Sequence, residues 1–312
     1  MKPLLADRRI TVLAFVLLVV FWSSAFAAVK IGLEYTPPLL FAGVRSILGG
    51  TAITLAALVW GGDPNFGRDW KVFALLAVFN VAAFIGFQTY AVMYLPSGTA
   101  AVLIYLQPIL VGFLAWMALG ESLGVVKLVG LLLGFAGIVA VSSGGFSGAA
   151  GGEVTPIGVT FGVASAIFWA LGTVLFKKYE ARVSTLWAVA VPFLAGGIAL
   201  TALGLAVESP AEISPSGAFV AALIYSSLVG TGFAWLLFFG LVRAGEASRV
   251  AAYIFFVPLV AVLIGALFLG EALRVSLIVG AVLVVTGIYL VNRQPAVSGQ
   301  PSAKSNDSQA GG

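Results

Sequence analysis

LPSGTAAVLIYLQPILVGFLAWMALGE, residues 95–121, and GEASRVAAYIFFVPLVAVLIGALFLGE, residues 245–271, are one pattern written twice. At a constant offset of 150 residues, Pro108 meets Pro258, Gly120 meets Gly270 and Glu121 meets Glu271. The same register continues to Gly130 with Gly280 and Gly137 with Gly287. At an offset of 147, Phe21-Trp22 meets Phe168-Trp169, and Lys30 meets Lys177. Chance accounts for one such pair, not for all of them in order. The chain is a duplication.

Each copy is built for lipid. Of 312 residues, 61% are hydrophobic and 9% charged, where a soluble domain carries roughly a quarter charged residues. Ten apolar segments emerge, at about 10–31, 37–60, 70–93, 97–119, 124–142, 156–176, 184–207, 216–240, 247–269 and 274–291. At about 1.5 Å per residue, each suffices as a helix to cross a hydrocarbon core of about 30 Å. They are twice the length of a membrane β-strand and apolar all round instead of alternating, which excludes a barrel. The first segment, which follows Lys2, Arg8 and Arg9, is too long for a signal-peptide core and is expected to be retained. The sequence predicts an all-α polytopic membrane protein.

Five helices per copy is an odd number, so the second copy enters from the opposite side. Two inverted five-helix repeats, 10–142 and 156–291, are therefore expected around a central cavity, as in secondary transporters. Charge gives the orientation. With the amino terminus inside, the inner face holds Lys2, Arg8, Arg9, Arg68, Lys71, Lys127, Lys177, Lys178, Arg182, Arg243, Arg249, Arg293 and Lys304; the outer face holds Lys30 and Arg274. That bias places residues 1–9 and the tail 292–312 in the cytoplasm, and the linker 143–155 in the periplasm. The tail, rich in Gly, Ser and Pro, is expected to be disordered.

Several chemistries are excluded. The sequence has no histidine and no cysteine, which removes imidazole acid–base work, thiol chemistry and the usual zinc ligand sets. No P-loop is present, so neither direct ATP coupling nor an ATPase subunit is implied. The formal charge of +4 is spread over short loops as a topology signal, so no nucleic-acid partner is expected. No metal, cofactor or enzymatic activity is expected, and the partners are a small-molecule substrate and the bilayer around a monomer.

The W-x7-K element of the first helix resembles the drug/metabolite transporter superfamily, specifically its ten-helix EamA-type branch. So do the mid-helix prolines and the Gly-Glu pairs that close the fourth and ninth helices. The resemblance implies an inner-membrane exporter of amino acids or related metabolites working by alternating access; members that export aromatic amino acids are the most similar. A drug or other metabolite exporter is the alternative, and a channel-like protein or non-transporting scaffold a further one.

Polar residues within the apolar segments are the candidate site. Arg45 is the one charged residue well inside a segment, and a cation in lipid marks function or a hidden partner. It is read as an anion partner for a substrate, against a structural pairing with carbonyls. Lys30, with Glu34 one turn on as a pairing candidate, is read either as a substrate contact or as a helix anchor. Asn80 and Gln88, eight residues apart, are expected on one helix face. Trp22, Tyr105, Trp169, Tyr225 and Tyr253 complete the proposed substrate-binding set, with Ser23, Ser24, Tyr90, Gln107, Thr173, Ser226, Ser227, Thr231 and Trp235 as further polar or aromatic positions. Trp60, Trp70 and Trp187 are assigned to the lipid belt or to packing. Pro108 and Pro258 are candidate kinks or gating points, and Glu121 and Glu271 candidate caps for the helices that follow them. No aspartate or glutamate lies away from the segment ends, so transport without obligatory proton coupling is expected.

Overall fold

The computed structural model describes residues 7–95, 97–146, 154–269 and 275–293. Glu271, Arg274, most of the 143–155 linker and the tail beyond Arg293 lie outside them. Ten crossings follow one another: α1 (Arg8–Leu33); α2 (Pro38–Trp60); α3 (Phe66–Leu76) and α4 (Phe84–Tyr94), joined by a π-helical segment Ala77–Ala83; α5 (Ser97–Ile104) with α6 (Gln107–Leu119); and α7 (Val125–Phe146). The second half repeats the series as α8 (Pro156–Tyr179); α9 (Thr185–Val207); α10 (Gly217–Tyr225) and α11 (Ala234–Ala244), joined by a π-helical segment Ser226–Phe233; α12 (Ala247–Tyr253) with α13 (Phe256–Leu269); and α14 (Val275–Asn292). Among the described residues there is no β-strand. Among the described residues nine of these crossings are long and apolar enough to span a bilayer, and the ninth in order, broken at Ile254-Phe255, is the tenth.

Local chemistry sets the helix ends. Thr155, Ser184 and Ser216 each accept a backbone N–H three residues on, from Gly158, Trp187 and Phe219, as N-caps do. Gly120 closes α6 at φ 71°, a left-handed turn open to glycine. The third crossing begins at Phe66, earlier than expected, because its charged first turn is anchored instead of forming a loop. Asp69 is fully buried and takes Arg68 at 2.8 Å and Arg182 at 2.6 Å.

The repeats interlock in a self-complementary way. α2 runs along α9, and α7 along α14. A Cβ on Gly130 would fall 2.7 Å from the carbonyl oxygen of Gly287, and one on Gly137 2.7 Å from that of Gly280. Since Gly130 corresponds to Gly280 and Gly137 to Gly287, the two contacts are the same contact seen from either repeat. That reciprocity is the mark of a two-fold relation, and only glycine allows backbones so near. α1 leaves its own repeat to pack on α10, α11 and α13, while α8 packs on α4 and α6. Each half thus lends its first helix to the other.

Loop contacts sort the crossings into two ends. Asp69 with Arg182, Lys127 with Glu246 and Arg243 with Thr185 gather at one end. Glu208, which accepts from the backbone N–H of Leu39 and Leu40, defines the other. Leu58, Val125, Val275 and Ile278 are each at least 66% exposed on the flanks, an apolar surface suited to acyl chains and not to water.

Two expectations about local structure are corrected. Pro108 and Pro258 do not kink continuous helices. The chain breaks ahead of them, at Tyr105-Leu106 and Ile254-Phe255, and both prolines lie in the first turn of the helix that resumes. There the missing N–H leaves no bond unmade. Glu121 does not cap the helix that follows it. Its carboxylate accepts from the backbone N–H of Ala247 and Ser248 and from the Ser248 hydroxyl, at the start of α12 in the other repeat. α7 begins only at Val125, so the nearest free amides are across the repeat boundary. Its partner in the sequence pattern, Glu271, lies outside the described residues.

Candidate functional site: an aromatic and polar axis between the repeats

Trp22 and Trp169, equivalent residues of α1 and α8, meet edge to face with ring centroids 5.5 Å apart. Trp235 lies 5.9 Å from Trp22 and 6.3 Å from Trp169, Phe238 packs 5.3 Å from Trp22, and Phe84 stacks on Trp169 at 4.7 Å. All five are buried. Both tryptophans fall near mid-helix, so the cluster occupies the axis where the repeats join.

Polar groups approach this cluster from two sides, and the two sides differ. On one, Trp22 Nε1 donates to the carbonyl of Gly230 at 3.2 Å, and Ser23 Oγ donates to the carbonyl of Val257 at 2.9 Å. Gly230 sits in the π-helical segment, whose i→i+5 pattern re-aims backbone carbonyls. On the other side Asn80 stands where Gly230 would be, and Gln107 where Val257 would be. Asn80 lies hard against Gly172: a Cβ there would fall 2.1 Å from Asn80 Oδ1. Gln107 Nε2 reaches Thr173 Oγ1 only at 3.4 Å, while that hydroxyl donates to the carbonyl of Trp169.

Four buried polar atoms on this second side have no partner among the described residues: Asn80 Oδ1, Asn80 Nδ2, Gln107 Oε1 and Trp169 Nε1. Each unfilled group costs about 1–3 kcal/mol, so several in one place call for a ligand or water. Two donors and two acceptors, uncharged, beside stacked rings suit an amphipathic solute whose polar end both gives and takes hydrogen bonds.

The structure brings together Trp22, Asn80 and Trp169 from the expected set, with Gln107 and Thr173. Tyr105 is buried in the break two residues before Gln107. The others sit apart. Tyr225 shares a hydrogen bond with Ser24 at 2.7 Å, and the Tyr253 ring lies 4.1 Å from Phe15. Gln88 is half-buried two turns beyond Asn80. The shared-face expectation for those two assumed an α-helical period, which the π-helical segment around Asn80 replaces. Lys30 is exposed and forms no ion pair with Glu34, so that expected pair is not made. Its equivalent Lys177 does pair, with Glu180 at 2.9 Å. Trp187 is buried and donates to the carbonyl of Gly62, a packing role, whereas Trp60 is 76% exposed. The sequence offers Trp235 only beside Thr231 on the eighth crossing, and gives no sign of Phe84 or Gly230, because an apolar ring and a bare glycine carry no signal in so apolar a chain. Among the described residues no cluster of acidic side chains is arranged to hold a metal ion.

Two copies of one fold, inserted in opposite directions and meeting on a polar aromatic axis, define a membrane transporter for small molecules. Residues 9–143 and 156–293 each match the EamA-like transporter family, and the chain belongs to that family. It is 40% identical over 292 residues to the uncharacterized transporter YvbV of Bacillus subtilis strain 168, covering 94% of each chain. It is 30% identical to the uncharacterized inner membrane transporter YedA of Escherichia coli K12, covering 90% of this chain and 92% of that one. A protein known from a crystal structure shares the fold with a TM-score of 0.78 at 22% identity, over 92% of this chain and 97% of that chain.

Proposed function

We propose that this transporter is an exporter that moves an amphipathic amino acid, aromatic or otherwise apolar in its side chain, by alternating access at the axis between the repeats. The observation that carries the reading is the group of unpartnered polar atoms on Asn80, Gln107 and Trp169 within the aromatic cluster. The rings take the side chain; the amides and Thr173 take the polar end. Drug or other metabolite export is the alternative.

The protein is further read as resident in a bacterial inner membrane with both termini cytoplasmic. The excess of Lys and Arg at the Glu121 end supports this, as does the name of the Escherichia coli relative. Transport is read as uncoupled from protons, since Asp69, the fully buried carboxylate, lies at a crossing's end and is committed to two arginines.

Counterflow in proteoliposomes tests the reading. Labelled tryptophan is expected to accumulate against internal unlabelled aromatic amino acid, saturably and unchanged by a pH gradient. Absence of counterflow with any amino acid, alongside exchange of a cationic dye, would sink it in favour of drug export. Strict dependence on the pH gradient would defeat the uncoupled mechanism alone.

A further inference from the structure

At the Glu121 end the structure has an open cavity of about 670 Å³, a vestibule lined by Leu119, Glu121, Lys177, Lys178, Arg243 and Glu246 among others. Its walls are the ends of three helices and the turns after them, and each of those helices reaches the aromatic axis. α6 runs from Gln107 to Leu119. α8 carries Trp169 and Thr173 ahead of Lys177, and α11 carries Trp235 and Phe238 ahead of Arg243. From Thr173 to Lys177 is one helical turn, about 6 Å along the axis of α8. Arg45 lines neither feature: it is the eighth residue of α2, whose start Glu208 holds at the opposite end.

A single layer separates the vestibule from the axis. Phe176 of α8 and Phe239 of α11 stack face to face, with ring centroids 4.0 Å apart and planes 4° from parallel, and both are fully buried. Phe176 directly precedes Lys177 of the vestibule wall and follows Thr173 by less than a turn. Phe239 directly follows Phe238, touches Trp235 at 5.6 Å between centroids, and lies one turn before Arg243. The pair stands between a charged opening and the uncharged polar atoms of the axis.

The contacts around the vestibule are of a kind that opens. Glu121 of the first repeat holds the start of α12 in the second, through the N–H groups of Ala247 and Ser248 and the Ser248 hydroxyl. Beside it, Lys127 of the first repeat meets Glu246 of the second at 2.8 Å. Polar links at the edge of an open cavity exchange for water at small net cost. The glycine contacts of α7 with α14 are backbone against backbone and have no such exchange. Motion between the repeats is therefore easiest where α6 meets α12. The break at Tyr105-Leu106 lets α6 turn as a unit, with Gln107 at one end and Glu121 just past the other.

We propose that Phe176 and Phe239 form the gate between the axis and the Glu121 end, shut in this structure. Glu121 is its latch, holding α6 to α12 until the repeats part and solute passes between vestibule and axis. This rests on the axis being the transport site, and not on which solute it carries.

The sequence has no cysteine, so an introduced thiol is the only one present. Thr173→Cys puts it on the axis side of the rings, and Lys178→Cys puts it in the vestibule. Full-length protein in membrane vesicles is treated with a charged, impermeant methanethiosulfonate on one face at a time. Lys178→Cys identifies the face to which the vestibule opens. From that face Thr173→Cys is expected to react slowly. Adding Glu121→Gln, which costs the closed state a hydrogen bond to a charged group, should speed the reaction by on the order of 10-fold. Adding Phe176→Ala or Phe239→Ala should speed it at least as much. Phe193→Ala is the control, a buried ring that packs on Trp235 and lines no part of the vestibule; it should leave the rate unchanged. Fast labelling of Thr173→Cys in the native background, equal acceleration by Phe193→Ala, or acceleration from the opposite face would each overturn the gate. So would an unchanged rate in a folded Phe176→Ala or Phe239→Ala protein, and an unchanged rate in Glu121→Gln would overturn the latch. Should the alanine variants fail to fold, Phe176→Leu and Phe239→Leu, which stay apolar but lose the stack, decide the matter with Glu121→Gln. Gated labelling without amino-acid counterflow would reject the amino-acid reading and leave the gate, and counterflow with ungated labelling would do the reverse.

Discussion

The two sides of the aromatic axis began as the same surface and now do different things. Where α1 meets the second repeat, Trp22 and Ser23 give their hydrogens to the carbonyls of Gly230 and Val257, and every polar group named there is satisfied. Where α8 meets the first repeat, Asn80 and Gln107 replace that glycine and valine, and polar atoms are left open. One face is a joint. The other leaves polar atoms unsatisfied, a cost in stability that the proposed function explains as recognition of a solute. Symmetry fixed where the halves meet; a handful of substitutions decided which meeting place leaves polar atoms open.

The largest effects should come from removing the rings that both faces share. Trp22→Ala and Trp169→Ala are each expected to cost about 3–5 kcal/mol, the range for emptying a buried aromatic. Thermal melts in detergent would show this as two similar, large drops. If Trp169→Ala were far milder, the packing would not be symmetric and the comparison would fail at its base.

Next, the open face can be converted into a copy of the closed one. The double variant Asn80→Gly, Gln107→Val removes three of the unpartnered atoms and should leave the melting midpoint unchanged or higher. Counterflow is expected to fall by about 10-fold or more, the worth of one or two lost hydrogen bonds. A stable variant with full transport would show that the open atoms serve no solute.

The finest contrast is a single N–H. Trp22→Phe loses the bond to Gly230 and should cost about 1 kcal/mol. Trp169→Phe loses no bond within the protein, so its stability change should be the smaller of the two, while its transport should fall more. The reverse order in both measurements would exchange the roles assigned to the two faces.

Much of the fold was legible in the sequence because lipid leaves so few choices. A chain with ten apolar stretches must make helices, since no other open structure satisfies its backbone. A duplication of five must invert. The Pro108–Pro258 match located the two broken crossings. Glu121 was misread as a local cap because a carboxylate's partner is whichever free amide lies nearest in space, and α12 is 126 residues away in the chain. The pairing of Asn80 with Gln88 on one face assumes an α-helical period, and the π-helical segment Ala77–Ala83 that interrupts it leaves no compositional trace.

The candidate site was legible in some of its members but not in its grouping. Trp22, Asn80 and Trp169 stood out as aromatic or polar residues within apolar runs. That Tyr225 and Tyr253 belong elsewhere could not be read from the same signal, since burial and direction depend on how the crossings rotate against one another.

Sequence by itself determined the class, the number of crossings, the inversion and the inventory of polar groups. Those follow from transfer free energy and chain parity, which are properties of residues taken along the chain. Only the tertiary structure decided which inventory members lack partners. A hydrogen bond is made or left open by a few tenths of an ångström between helices far apart in sequence. On such distances rest the satisfied bond of Trp22 and the open one of Trp169.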